Sequence, residues 1–215
     1  MSTNPSKDRK PMIVTTKYSN YLVTDLKTLK KSDGTSLKTE PVTALCRCGN
    51  SKDKPYCDGS HNETGGHNEV KKKDRVEDRL KTYAGNDITI YDNRGVCSHD
   101  ESCTRLLPTV FDKNKRPWIN PNGASVSEII DTVEKCPSGA LSYGIGSRRY
   151  QELHREPAIQ TRKDGPLEIT GGIILKDDQG CQPECFEHYT LCRCGKSKNK
   201  PFCDGEHGSH DFKAD

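Results

Sequence analysis

The chain has 215 residues, of which only 30% are hydrophobic and 6% aromatic, so any apolar core is small. Its 34 lysines and arginines nearly balance 31 acidic residues, and a net charge of +3 does not favour a nucleic-acid-binding surface. No apolar run has the length of a membrane-spanning helix, and the polar start, Met1–Pro11, is unlike a signal peptide. We therefore expect a cytoplasmic protein that binds neither membrane nor nucleic acid.

Short stretches that alternate apolar and polar residues predict β-strands near the start of the chain, at Met12–Val14, Tyr21–Val23 and Val42–Ala44. Asp33-Gly34 is a hairpin signal between the second and the third of these strands. A predicted loop at 62–68 is followed by a charged connector at 69–81. Helical spacing around this connector favours a short helix with one apolar face, formed by Val76, Leu80 and Tyr83.

The middle of the chain has a different character, with two predicted strands, Ile88–Tyr91 and Ala140–Tyr143. A turn at Asp92–Gly95 follows the first strand. Ser125 and Glu128 form a capping box that opens a predicted helix. The apolar face of this helix consists of Val126, Ile129, Ile130 and Val133, and the helix ends at Cys136-Pro137 because proline cannot continue it.

Towards the end of the chain, residues 146–164 are polar and read as a connector. Strands are predicted at Leu167–Thr170 and Ile173–Leu175, on either side of a Gly-Gly pair that indicates a hairpin or a bulge, and at His188–Leu191. Cys181 and Cys185 are compatible with a redox dithiol, an extra metal site or a missing cluster ligand. We expect two exposed, incidental thiols instead.

Two nearly identical loops stand out: Leu45–His61 and Leu191–His207 match at 13 of 17 positions, at a constant offset of 146 residues. The surrounding sequence does not repeat in this way, which indicates two copies of one metal-binding loop. A Cys-x-Cys pair supplies two thiolates, and Asp58 is placed to cap the turn that carries the histidine. The candidate ligands are Cys46, Cys48, Cys57 and His61 in the first loop and Cys192, Cys194, Cys203 and His207 in the second.

Zinc is the ordinary metal for three cysteines and one histidine, but it usually takes wider cysteine pairs than Cys-x-Cys. The pattern Cys-x-Cys-x2-Ser-x3-Pro-x-Cys-Asp-Gly-x-His resembles the CDGSH (NEET) iron–sulfur family, and both loops carry it. The resemblance implies a 2Fe–2S cluster in each loop, with one iron on the Cys-x-Cys pair and the other on the last cysteine and the histidine. The positions that it adds to the cofactor-binding set are Ser51, Asp58, Ser197 and Asp204.

A third group of cysteines lies between the two loops, at Cys97, Cys103 and Cys136. Its spacing, Cys-x2-Asp-x2-Cys followed by Cys-Pro, is half of a bacterial ferredoxin pattern with the middle cysteine replaced. The block from about Asp87 to Tyr143 resembles the divergent single-cluster 4Fe–4S ferredoxin family. Three cysteines do not complete a four-iron cluster, so either His99 or Asp100 supplies a fourth ligand, or the centre is 3Fe–4S.

These patterns predict an α+β protein with a discontinuous CDGSH domain. Residues 1–84 and 150–215 form a small β-rich pseudo-dimer, and residues 85–149 form a ferredoxin-like α+β lobe. We expect a monomer with an internal pseudo-two-fold axis.

The expected function is electron transfer between redox partner proteins, with two 2Fe–2S clusters and one 3Fe–4S or 4Fe–4S cluster. The alternative is a carrier that donates clusters to apo iron–sulfur proteins. No nucleotide-binding loop or catalytic nucleophile is recognisable, so we do not expect an enzyme.

Overall fold

The computed structural model describes residues 9–17, 19–63 and 79–215. Two helices are α1 (Ser102–Leu106) and α2 (Val126–Val133), and short 3-10 turns lie at Ser60–Asn62 and Glu206–Gly208. The strands are β1 (Met12–Thr15), β2 (Tyr21–Thr24), β3 (Leu29–Lys30), β4 (Ser36–Leu37), β5 (Val42–Leu45), β6 (Leu80–Ala84), β7 (Thr89–Asn93), β8 (Leu141–Ile145), β9 (Arg148–Tyr150), β10 (Ala158–Thr161), β11 (Leu167–Thr170), β12 (Ile174–Asp177) and β13 (Tyr189–Leu191). The protein is thus built mainly of small β-sheets with few helices.

Two of the three sheets combine both ends of the chain. The first sheet has the strand order β12-β1-β2-β5, and the second has the order β13-β11-β10-β3-β4. β12 comes from the C-terminal part and pairs in parallel with β1, whereas β3 comes from the N-terminal part and pairs in parallel with β10. Each sheet therefore contains a strand from the opposite end of the chain.

The strand pairing repeats at the same 146-residue offset as the two loops. Tyr21 pairs with Leu45 in the first sheet, and Leu167 pairs with Leu191 in the second. The exchanged strands follow the same rule, since Ile13 pairs with Leu175 and Ile159 pairs with Leu29. The sequences outside the two loops differ, but the strands that precede the loops pair in the same register in the N-terminal and C-terminal parts of the chain.

Alternating burial explains why these short segments are strands. Successive side chains of a strand point to opposite faces, and β2 buries Tyr21 and Val23 while Leu22 stays exposed. The second sheet does the same with Leu167 and Ile169. The buried faces meet in one core, whose larger members are Ile13, Tyr21, Val23, Leu29, Leu45, Ile159, Leu167, Ile169, Tyr189, Leu191 and Phe202.

The third sheet, with strand order β6-β7-β8-β9, forms a middle lobe over residues 80–150. Its strands begin five residues before the predicted range of 85–149 and end one residue after it. Its separate core includes Ile90, Phe111 and Ile129. Helix α2 begins with the predicted capping box, in which the side chains of Ser125 and Glu128 each accept a backbone N–H from the other residue.

Three sequence predictions about local structure were wrong. Leu80 and Tyr83 lie in β6 rather than in a helix, because they pair with β7, while Val76 lies outside the described residues. The predicted connector at 146–164 contains the whole of β9 and of β10. The pair Gly171-Gly172 does not form a hairpin, since the chain there crosses from the second sheet into the first.

Within the described ranges, no helix is long and apolar enough to cross a membrane.

One hydroxyl ties the first sheet to the second loop. The fully buried Tyr21 donates from its hydroxyl to the carbonyl oxygens of Cys192 (2.7 Å) and Pro201 (3.1 Å). Tyr21→Phe removes a buried donor, and we expect it to lower the free energy of unfolding by about 1–2 kcal/mol. Circular dichroism of the holo protein should then show a melting temperature several degrees lower.

The matched control is Tyr56→Phe, which introduces the residue that the second loop already has at Phe202. The Tyr56 hydroxyl is more exposed and donates to the Lys38 carbonyl. Equal losses of melting temperature in the two variants would contradict a special role for the Tyr21 hydroxyl.

Candidate metal centres

The two loops are held in shape by the same side-chain hydrogen bonds. The Ser51 hydroxyl donates to the Tyr56 carbonyl at 2.7 Å, and the Asp58 carboxylate accepts the Lys52 N–H at 2.7 Å. In the second loop, Ser197 donates to the Phe202 carbonyl at 2.7 Å, and Asp204 accepts the Lys198 N–H at 2.8 Å. Asp58 also accepts the Ser60 N–H at 3.0 Å, but the N-cap of the following 3-10 turn is Gly59 and not Asp58 as predicted. In the structure, Ser51, Asp58, Ser197 and Asp204 therefore shape the loops from within.

Each loop arranges its four candidate ligands as two close pairs. The Sγ atoms of Cys46 and Cys48 are 3.7 Å apart, and Cys57 Sγ lies 3.4 Å from His61 Nδ1. In the second loop, the Sγ atoms of Cys192 and Cys194 are 3.6 Å apart, and Cys203 Sγ lies 3.4 Å from His207 Nδ1. Two thiolates on one tetrahedral metal with bonds of about 2.3 Å are about 3.7 Å apart, and a thiolate and an imidazole are about 3.5 Å apart. Each pair thus has the geometry for one metal ion.

The two pairs of a loop do not converge on a single ion. In the part of the chain that the structure describes, no three of these ligand atoms lie within 4.8 Å of one another. A single tetrahedral zinc would hold all four ligand atoms closer together than that. The residues therefore fit a binuclear centre, with one pair for each metal.

The two thiols of each Cys-x-Cys pair shift each other's pKa in opposite directions. The Cys48 thiol donates to Cys46, which lowers the pKa of Cys46 and raises that of Cys48. Cys194 and Cys192 behave in the same way. Burial raises the pKa of Cys203 and lowers that of His207. Metal binding must therefore displace protons from the thiols, and it is coupled to pH.

The two loops meet at a pair of glycines, Gly49 and Gly195. A Cβ atom built on Gly49 would lie 2.6 Å from the carbonyl oxygen of Cys194, and one on Gly195 would clash with the carbonyl oxygen of Cys48. The backbone of each Cys-x-Cys pair is therefore packed directly against the other. Both glycines also have positive φ, at 82° and 75°, which disfavours any other residue.

Sequence reasoning missed two buried arginines, Arg47 and Arg193, which lie between the cysteines of the two Cys-x-Cys pairs. They are 1% and 2% exposed. Arg47 donates to the Thr16 carbonyl, and Arg193 donates to the carbonyls of Gly165 (2.7 Å) and Asp215 (2.8 Å). Burial lowers the pKa of Arg193 to about 10, which leaves it charged at neutral pH. The repeat could have revealed them, because the same position is arginine in both loops. Buried positive charge at this position offsets the charge of the three thiolates in each loop.

The three cysteines of the middle lobe come together around a narrow cavity of about 30 Å³. The residues that line it include Cys97, Cys103, Cys136, Asp92, Arg94 and Trp118. Burial raises the pKa of Cys97, and it raises that of Cys103 to about 12. Arg94 donates to Cys97 Sγ at 3.3 Å and stacks on the Trp118 ring at 3.9 Å. The three thiols could bind a cluster together, and the positive charge of Arg94 beside them would stabilise a cluster with negative charge.

The two candidates for a fourth ligand of this centre are engaged elsewhere. Asp100 borders the cavity, but its carboxylate pairs with Arg162 at 2.6 Å and accepts the Ser102 hydroxyl. His99 lies with its ring carbons beside Gly205 of the second loop, and it does not line the cavity. Neither position is thus arranged as a ligand in this structure.

Cys185 was expected to be exposed, and this was wrong: it is 1% exposed, whereas Cys181 is half-buried. Cys185 Sγ lies 3.2 Å from His188 Nδ1, which in turn lies 2.8 Å from the Glu187 carboxylate. These three are ligand-type groups within 4.8 Å of one another, but Arg155 already binds the carboxylate with two hydrogen bonds. This cluster packs behind Gly139, next to the loop that carries Cys136.

Comparison with known proteins agrees with this arrangement. The family described as iron-binding zinc finger CDGSH type matches residues 19–62 and 164–208, and the family described as divergent 4Fe-4S mono-cluster matches residues 83–145. The chain is also similar to the uncharacterized protein YjdI of Escherichia coli strain K12 and of Escherichia coli O157:H7. Each is 35% identical over 63 residues, which cover 29% of this chain and 83% of that protein. No solved structure matches the chain significantly.

These findings define an iron–sulfur protein. The chain belongs to the CDGSH iron-binding family, in a tandem form whose two segments flank a divergent 4Fe–4S mono-cluster domain.

A substitution at Gly139 can test whether the packing of Cys185 and His188 against the Cys136 loop holds the middle centre in place. A Cβ there would lie 2.5 Å from Cys185 Cβ and 2.8 Å from the His188 carbonyl oxygen. We expect Gly139→Ala to displace the Cys136 loop and to reduce the iron content of the middle centre, while both loops keep theirs. The control is Gly146→Ala, which has a similarly positive φ but no described neighbour within 4 Å. Iron and acid-labile sulfide per chain measure the outcome, and equal losses in the two variants would contradict it.

Proposed function

We propose that the protein transfers single electrons through two 2Fe–2S clusters and one 3Fe–4S or 4Fe–4S cluster. The observation that carries this proposal is the division of each loop's ligands into two metal-sized pairs that do not converge on one ion. Iron–sulfur clusters accept and release one electron, and their potentials depend on ligands, charge and burial. Cys46, Cys48, Cys57 and His61 would hold one 2Fe–2S cluster, and Cys192, Cys194, Cys203 and His207 the other.

The two ends of the chain form an internal pseudo-dimer in this proposal. The equivalent strand registers and the reciprocal exchange of β3 and β12 support it. The CDGSH domain is then discontinuous, at 1–84 and 150–215, with the ferredoxin-like lobe at 85–149 inserted between its halves. A chain that contains both halves needs no second copy, so we propose a monomer.

The middle centre has three cysteine ligands, Cys97, Cys103 and Cys136. The ion pair between Asp100 and Arg162 favours a 3Fe–4S centre, because it occupies the carboxylate that a fourth iron would need. A 4Fe–4S centre remains the alternative, with the ion pair broken on assembly and Asp100 as the fourth ligand, or with His99 in that place.

We place the protein in the reducing environment of the cytoplasm, in contact with redox proteins. All eleven cysteines are free thiols in the structure, as expected where disulfides do not persist. We propose no enzymatic activity, because no nucleotide-binding loop or catalytic nucleophile is recognisable in the sequence outside the cluster motifs.

Anaerobic purification followed by iron and sulfide analysis and electron paramagnetic resonance tests this function. We expect sulfide together with iron, two rhombic signals from the loops and one distinct signal from the middle centre. A colourless protein that contains zinc and no sulfide would overturn the proposal.

The histidine ligands predict how the potentials respond to mutation. Replacing a neutral imidazole by a thiolate adds negative charge, so His61→Cys and His207→Cys should each lower the potential of their own cluster. Each wild-type potential should also fall with rising pH, by at most about 59 mV per unit, and the cysteine variants should lose this slope. Protein-film voltammetry measures both effects. Unchanged potentials in both variants would contradict histidine ligation.

A cluster carrier is the second candidate, because His61 and His207 are each only half-buried and a protonated imidazole cannot bind iron. Incubation of the holo protein with an apo-ferredoxin distinguishes the two roles. A relay should keep its visible spectrum over an hour, whereas a carrier should convert the apo-ferredoxin within minutes.

A further inference from the structure

The two loops have nearly the same sequence but different surroundings. Gly59 and Gly205 are equivalent positions, with φ of 88° and 87°. A Cβ on Gly59 would meet no described atom within 4 Å, whereas one on Gly205 would lie 2.9 Å from His99 Cβ. Cys57 is half-buried, but the equivalent Cys203 is 2% exposed. Among the described residues, the middle lobe thus lies against the second loop.

Further contacts join these two parts. The Asn199 side chain donates to the Gly95 carbonyl, and Arg162 pairs with Asp100 at 2.6 Å. Ser98, Asp100 and Pro137 of the middle lobe share a cleft with His207, the histidine ligand of the second loop. The ligand loops of the middle centre and of the second loop are therefore neighbours.

Two of the four sequence differences between the loops follow from this contact. Asp53 of the first loop is Asn199 in the second, and only the amide can donate a hydrogen bond to the Gly95 carbonyl. Tyr56 is replaced by Phe202, which is 2% exposed and packs in a core that also contains Val96 of the middle lobe. A hydroxyl buried there would need a partner, whereas the Tyr56 hydroxyl has one in the Lys38 carbonyl.

From these contacts we infer that the two CDGSH loops have different roles. The second loop is the inner site, which exchanges electrons with the middle lobe across the junction of His99 and Gly205. The first loop is the outer site, which meets an external one-electron redox protein at the Cys57–His61 side. This inference rests on the proposed function.

The contact between Gly49 and Gly195 completes the route, because it packs the backbone of the two Cys-x-Cys pairs together. The order is thus middle lobe, second loop, first loop, external protein. Each transfer moves one electron and makes or breaks no covalent bond. The external protein is the reductant or the oxidant, depending on the direction.

A matched pair of variants tests the order. Cys57→Ala leaves the second loop with a complete ligand set, and Cys203→Ala leaves the first. In fully reduced holo protein, we expect the loop signal in Cys57→Ala to show fast relaxation and broadening by the nearby middle centre. The loop signal in Cys203→Ala should be narrower and relax more slowly. Adding Cys136→Ala to each variant should abolish the difference. Equal relaxation of the two loop signals, or faster relaxation in Cys203→Ala, would overturn the inference.

A second experiment does not depend on removing a ligand. Gly59→Ala and Gly205→Ala impose the same backbone strain, since their φ angles are nearly equal, but only Gly205→Ala collides with His99. The measured quantity is the rate at which each loop releases iron to a ferrous chelator. We expect Gly205→Ala to increase this rate for the second loop several-fold more than Gly59→Ala increases it for the first loop. His99→Gly is compatible with the positive φ at that position, and it should rescue Gly205→Ala. Equal release from the two variants, or no rescue, would contradict the junction.

The two proposals fail differently. A protein without sulfide or paramagnetic signals would overturn the proposed function itself. Three clusters whose loop signals relax alike would leave electron transfer standing and overturn only the order of the sites.

Discussion

The close packing of two Cys-x-Cys pairs at Gly49 and Gly195 is the constraint on which the rest of the structure depends. β5 ends at Leu45 and β13 ends at Leu191, so each cysteine pair begins directly where its strand ends. The backbone contact between the two pairs therefore brings the ends of these two strands close together. The exchanged strands β3 and β12 and the Tyr21 hydroxyl then reinforce that geometry from outside the loops.

Because the apolar core is small, polar groups and metal ligands must contribute much of the stability of the fold. Only 30% of the residues are hydrophobic, and two of the largest fully buried side chains are arginines, Arg47 and Arg193. Such charges are tolerated inside a protein when they are hydrogen-bonded and face opposite charge. Arg193 donates hydrogen bonds to the carbonyls of Gly165 and Asp215, and the nearby opposite charge comes first from Asp215 and then from Cys46. Holo and apo protein should therefore differ strongly in stability, since ligand bonds stand in for buried apolar area.

Residue patterns predicted the parts of this structure that depend on local chemistry. The β2 and β11 strands follow from alternating burial around Tyr21 and Leu167, and α2 follows from the capping box at Ser125. The division of each loop's ligands into a Cys-x-Cys pair and a Cys–His pair is what the family resemblance implies, and the distances in both loops agree with it. Both families that the motifs resemble were confirmed by comparison with known proteins.

The parts that could not be predicted depend on contacts between distant segments. β3 is only two residues long, and it exists because Leu29 pairs with Ile159. β10 lies in a polar stretch, and the same parallel pairing makes it a strand. Cys185 was expected to be exposed, yet it is covered by Gly139 of the middle lobe and by His188. Single-sequence patterns contain no information on which remote segment will cover a given residue.

The two loops also show why identical ligands need not give identical centres. Potential and lability depend on hydrogen bonds, buried charge and solvent access around the ligands, not only on the ligands themselves. Arg193 is bound to the chain terminus through Asp215, whereas Arg47 is bound to Thr16. Cys203 is 2% exposed, whereas the equivalent Cys57 of the first loop is half-buried. The same types of ligand are therefore more deeply buried in the second loop. Any difference in behaviour between the loops comes from these surroundings and from the four positions at which the loops differ.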